Sequence, residues 1–223
     1  AKAGAARLTL SGSTTYDGYT HVKAGMLEFK GFSKSSRYDI DLGAAVEFDV
    51  ALGERDMPTT SFNGEGILRK TGAGTIRWGT GAATFNLAAK SWIDVEAGTF
   101  VAGSHGNENW NNNQSSLRIG ATGVFQSVEA EVRVDGLIGS GTWRGGWNSN
   151  AYRSTPVIGV ANGAATLDPN NAALSKYVFS GSIVDYDTAA GHRIKNLIKV
   201  GTGTQIFTGN NTYSGTTQVQ GGV

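Results

Sequence analysis

Cysteine is absent from the 223 residues and proline occurs only three times. Without thiols there is no disulfide scaffold and no zinc–thiolate site. With so little proline, the 33 glycines are read as turns and not as a Pro-rich linker. Charge is scarce too: Asp, Glu, Lys and Arg together make 17%, with a net charge of +1. A nucleic-acid or anionic-membrane surface would need a basic excess, so neither partner is expected. No apolar run approaches the ~20 residues of a membrane helix, so no membrane insertion of this segment is expected, and no secretory leader opens the chain. No stretch keeps a helical period; the two candidates, 170–176 and 189–195, are too short to matter.

Thr, Ser, Asn and Val fill the space left by charge, which favours strands and polar corners. Alternation with period two runs through the chain, as in Leu8/Leu10, Tyr38/Ile40/Leu42, Val46/Phe48/Val50 and Val132/Val134. The predicted strands are three to five residues long, with glycine corners between them. Short strands of this kind suit a sandwich or a β-solenoid, and self-similarity favours the solenoid. The stretch from Gly201 through Asn210-Asn211-Thr212-Tyr213 to Gly222 reads as strand, Asn-rich corner, strand. Residues 8–25 match it without a gap up to that glycine, and residues 72–98 match it with small insertions. Stacked coils place like side chains in columns. The three copies predict the columns Leu10/Trp78/Phe207, Tyr16/Phe85/Tyr213 and Val22/Val95/Val219. The fold expected is an all-β, parallel β-helix forming one module over 1–223. Both ends fall inside repeat-like sequence, so the module reads as a piece of a larger secreted protein.

Three stretches break the strand pattern and read as loops: 51–60, 102–116 and 144–156. Solenoid insertions leave from corners and gather on one face, often the binding face. Trp78 reads as core, Trp143 as core or rim, and Trp92 as part of a corner. Trp110 and Trp147 sit among Asn and Gly with no apolar neighbours in sequence, so exposed indoles are expected. An exposed ring stacks on the apolar face of a sugar while amides and charged groups bond its hydroxyls. Trp110, Trp147, Tyr152 and Trp143 are the candidate stacking residues; Arg144, Asn148, Asn150 and Arg153 are the candidate hydroxyl-binding groups. Carboxylate pairs at i, i+2 (Asp39/Asp41, Glu47/Asp49, Glu129/Glu131, Asp185/Asp187) would suit a glycosidase or lyase. Where they alternate with apolar residues, they read better as outward, solvated strand faces. His21, His105 and His192 stand apart, without metal-ligand spacing. Neither a metal nor another cofactor is expected, and no phosphate loop or nucleophile elbow appears.

Residues 203–222, with Phe207-Thr-Gly-Asn-Asn-Thr-Tyr-Ser-Gly215 at their centre, resemble the passenger-associated repeat of bacterial autotransporters. The segments Leu137-Ile-Gly-Ser-Gly-Thr142 and Phe179-Ser-Gly-Ser-Ile183 resemble its companion motifs. The resemblance implies a right-handed parallel β-helix at a bacterial surface or in the secreted fraction. In size, fold and aromatic content the chain is also similar to the right-handed β-helix carbohydrate-binding modules of gut-bacterial xylanases. That second resemblance implies a non-catalytic module for a plant polysaccharide, xylan above all, linked to a catalytic or surface domain in its parent chain. The alternatives are a structural or adhesive passenger segment and, third, a polysaccharide lyase or hydrolase.

Overall fold

In a computed structural model of the chain, residues 1–103, 107–146, 154–163, 177–186 and 193–223 are described. Among them there is no helix, and all strand pairings between named strands are parallel. The chain forms a parallel β-solenoid. Nine first-face strands stack in one file from Arg7–Leu10 through Met26–Phe29, Ala45–Asp49 and Ile67–Thr71 to Gln205–Phe207, with eight turns of chain between first and last. A third face carries Tyr19–Val22, Arg37–Ile40, Thr60–Gly64, Ala83–Leu87 and Glu108–Asn109. It continues as Arg133–Val134, Val157–Ile158, Asn196–Lys199 and Thr216–Val219. A shorter second face lies between them, with Glu54–Asp56, Thr75–Arg77, Thr142–Gly145 and Ser182–Asp185.

Strand alternation decides what faces inward. Leu8, Leu27, Val46, Leu68, Ile93, Leu117 and Leu137 are register partners on successive coils. Because pleated side chains alternate faces, the neighbouring file of Thr9, Glu28, Glu47, Arg69, Asp94 and Arg118 points outward. In-register pairing repeats every 4.7–4.9 Å, so like rings pile up. Tyr38, Phe62, Phe85 and Trp110 stack with centroids 5.2, 5.5 and 3.9 Å apart and planes within 17°. Phe29 lies on Phe48 and Phe100 on Phe125 in the same way. Between files the rings meet edge to face, as in Tyr38–Phe48 at 87° and Trp78–Phe85 at 87°. Stacked and edge-to-face contacts of this kind add ~0.5–1.5 kcal/mol per pair beyond burial.

Several expectations need correcting. Leu10 and Phe207 do share a file, through Phe29, Phe48, Lys70, Val95, Ile119, Gly139 and Phe179. Trp78 is core, as expected, but it follows the second-face strand Thr75–Arg77 and packs on Phe62, Phe85 and Phe100. Phe85 belongs to the interior ring stack, whereas Tyr16 is 42% exposed. Val95 is a first-face residue, whereas Val22 and Val219 are third-face residues. The middle copy therefore repeats the local turn but enters it from another face. Two strands exceed the short lengths expected, Trp92–Val101 and Ser116–Val128. Each runs from the first face onto the second without a break, and their register shifts where Val95 and Ala97 face Ile119 and Thr122. The stretch 51–60 is not wholly loop, since Glu54–Asp56 pairs with Thr75–Arg77 and Pro58 lies just beyond it. The stretch 170–176 lies outside the described residues, as does most of 189–195.

Candidate functional site

The aromatic candidates that are described do not line a surface. Trp110 is 2% exposed. Its ring lies on Phe85, edge-on to Phe125, and its indole N–H donates to the Ala102 carbonyl at 2.8 Å. It is the next rung of the third-face ring stack, placed there by Glu108–Asn109 pairing with Ala83–Thr84. The asparagines around it form its turn: Asn113 is buried and donates to the Arg133 carbonyl at 2.7 Å. Trp143 is fully buried against Phe125 and donates to Ser127 Oγ at 3.0 Å. Neither indole can stack on a sugar from solution, which overturns that assignment for both. Arg144 is half-buried, with its guanidinium carbon 5.7 Å from the centre of the Tyr186 ring. Trp147, Asn148, Asn150, Tyr152 and Arg153 lie outside the described residues, as do His105, His192 and Asp187. The structure thus brings together two of the eight candidates in the core, leaves one at its rim, and says nothing of the other five.

The carboxylate pairs are taken up by partners on the same strand or on neighbouring coils. Asp39 pairs with Arg37 and Asp41 with His21, both at 2.7 Å. Glu47 was expected on a solvated face, but it is buried beside Glu28, with Arg7 Nη1 at 3.2 Å from Glu28 and 3.5 Å from Glu47. Asp185 accepts from the Ile194 and Ser214 amides. Asp94 is fully buried between Arg69 and Arg118. Among the described residues no group of His, Asp and Glu has an arrangement that could hold a metal. No described helix is long and apolar enough to cross a membrane.

Three lysines make the most unusual polar sites, and the sequence reading passes over them. Lys2, Lys70 and Lys199 are buried. Each ammonium donates to backbone carbonyls: Lys2 to Gly4, Ala6 and Ala24; Lys70 to Thr71, Gly72 and Ala97; Lys199 to Val200, Gly201 and Gly221. In every case the glycine two residues on has a positive φ, at 88° for Gly4, 74° for Gly72 and 67° for Gly201. That left-handed turn needs glycine and points successive carbonyls at one spot. The lysine fills the spot and ties its turn to that of a neighbouring coil. All three share Lys-x-Gly, at 2–4, 70–72 and 199–201, but Lys23-Ala-Gly25 has the same pattern and a left-handed glycine while Lys23 is exposed.

Burial pushes the Lys70 ammonium down to about 8; Asp49 opposes this and Arg55 adds to it. The carbonyls replace only part of the lost hydration. The folded value lies below the ordinary lysine value of about 10.4, so between these limits the unfolded chain binds more protons. Stability should then rise with pH across that window and should fall short by the same amount below pH 8. Urea titrations at pH 7.5, 9 and 10.5 should show the parent chain gaining on the order of 1–3 kcal/mol relative to Lys70→Met. A constant gap between the two chains would rule this out.

The lysine sites also show which parts of the chain are equivalent. Residues 1–25 and 198–222 carry the same side-chain contacts at a constant offset. Lys2 and Lys199 reach the same turn carbonyls, at Gly4 and Ala24 in one and Gly201 and Gly221 in the other. Tyr16 hydroxyl meets Thr20 Oγ1, and Tyr213 hydroxyl meets Thr217 Oγ1. The Lys23 amide donates to the Lys2 carbonyl and the Gln220 amide to the Lys199 carbonyl, both at 2.8 Å. Comparison with known families gives the same division: the family model of the passenger-associated-transport-repeat matches residues 1–29 and 197–223. No curated protein and no solved structure matches the chain.

Proposed function

We propose that the chain is a structural, non-catalytic β-solenoid segment of a bacterial passenger, exported to the cell surface or beyond as part of a longer polypeptide. One observation carries this reading: the coil that matches the passenger-associated repeat occurs at both ends, with the same buried lysine and the same Tyr–Thr hydrogen bond. A segment of this kind works as a stiff spacer. Each coil contacts its neighbours through in-register ladders and a continuous ring-filled interior, so its length is set by the number of coils. A polysaccharide partner loses Trp110 and Trp143, the two stacking candidates that the interior takes up.

The test places the whole chain between an export leader and an autotransporter barrel in a bacterial host. A folded, protease-resistant segment should appear at the cell surface, and the purified chain should migrate freely through gels containing soluble xylan, mixed-linkage glucan or pectin. Retention inside the cell would count against the passenger reading. Retardation by one glycan would replace it with a binding module.

A further inference from the structure

The third face is not one sheet. Its described strands fall into two, and no pairing joins Glu108–Asn109 to Arg133–Val134 on the next coil. Glu108–Asn109 pairs back to Ala83–Thr84, and Arg133–Val134 pairs forward to Val157–Ile158. At the same level the other two faces are unbroken. Trp92–Val101 lies along Ser116–Val128, in register from Trp92/Ser116 to Val101/Gln126 apart from the shift after Val95.

Asparagines stand where the ladder is missing. Asn109 Oδ1 accepts from the Asn111 amide at 3.0 Å, and the Asn113 amide turns back to the Trp110 carbonyl. Two bonds then reach across the break. The buried Asn113 side chain donates to the Arg133 carbonyl at 2.7 Å, and the Asp135 amide donates to the Ser115 carbonyl at 2.8 Å. The ring stack stops here as well. Trp110 is its last member, and Val132, Val134, Ile158 and Leu197 fill the interior beyond it.

We propose that this break is a joint. The solenoid opens between Trp110 and Val132–Val134, with the continuous first and second faces as its spine. Opening there gives up a few bonds and aliphatic contacts. Parting Thr60–Gly64 from Ala83–Leu87 would instead break a full ladder and the Phe62–Phe85 ring contact. Local openings are drawn from places where such contacts are few. The solenoid is then stiff on either side of one level and yields at that level. The joint belongs to the coils and is independent of the passenger reading.

Amide exchange of the full chain under native conditions, read by mass spectrometry on short fragments, tests this. Val132, Val134 and Asp135 are as buried as Val95 and Ile119, so burial alone would give them equal protection. A joint makes exchange in 132–135 about tenfold or more faster than in 93–95 and 117–119, and nearly insensitive to dilute urea. Asn113→Ala removes one of the two bridging bonds. It should speed exchange in 132–135 by roughly another fivefold and leave 93–95 and 117–119 as they were. The parent chain decides even if the variant fails to fold. Equal protection of the three fragments in the parent, or equal quickening of all three in the variant, would mean that the coils open as one unit and would overturn the proposal.

Discussion

Trp110→Ala is expected to cost about 3–5 kcal/mol of stability and to lower Tm by roughly 10–15 °C, while leaving any surface property of the chain unchanged. The indole is sealed in the interior, 3.9 Å centre to centre from the Phe85 ring, and is edge-on to Phe125 at 6.0 Å. Removing it takes away the last ring of the third-face stack and opens a gap between Phe85 and Phe125. It also deprives the Ala102 carbonyl of its 2.8 Å donor, a loss of ~1 kcal/mol by itself. Trp110→Phe restores the ring but not the N–H, so it should recover most of the loss and stop ~1–2 kcal/mol short of the parent. Urea unfolding of the three chains measures this directly. A residue that stacked on a ligand from solution would behave in the opposite way, losing binding at little cost in stability. If Trp110→Ala unfolds with the parent, the ring stack does not hold these coils together.

Strand alternation and the duplicated coil make the fold class legible without coordinates. Val46, Phe48 and Val50 turn inward as their period requires, and the two terminal copies align without a gap because they are the same coil. The middle copy shows where such reading stops. Gly72-Ala-Gly74 follows Lys70 just as Gly201-Thr-Gly203 follows Lys199, so the local turns agree. Which face a turn joins depends on the loops accumulated before it, and no local pattern records that. Trp110 shows a second limit. In a solenoid, a side chain's packing partners come from the coils above and below, here Phe85 and Phe125. An indole set among asparagines therefore looks exposed when it is not. The buried lysines show a third, because an isolated Lys is read as surface by default. Lys-x-Gly with a left-handed glycine also occurs at 23–25, where Lys23 is exposed, so only the coil packed beside each turn marks out the sites at Lys2, Lys70 and Lys199.

Asp94→Leu should be as damaging as the loss of Trp110, about 3–5 kcal/mol, for an electrostatic reason. Arg69, Asp94 and Arg118 are register partners on three successive first-face strands. Asp94 has no exposed surface; its carboxylate accepts from Arg69 Nε at 2.8 Å and from Arg118 Nη1 at 2.6 Å. Burial alone would lower the Arg118 pKa, but bonds to Glu96 and Asp94 outweigh it and hold that guanidinium above its ordinary value. Removing Asp94 leaves two largely buried cations on the strands either side of it, with Glu96 as the one remaining carboxylate bonded to Arg118. The cost arises from this unpaired charge and not from loss of attraction as such. A well-packed apolar replacement of all three groups avoids it. The chain carrying Arg69→Met, Asp94→Leu and Arg118→Met together should therefore recover to within about 1–2 kcal/mol of the parent. Asp94→Leu alone should be partly rescued by high salt, which screens the two arginines. Chemical unfolding of the single and triple variants at 0.05 and 0.5 M salt separates the two accounts. A triple variant as unstable as the single one would mean that the carboxylate is needed for more than neutralising its neighbours.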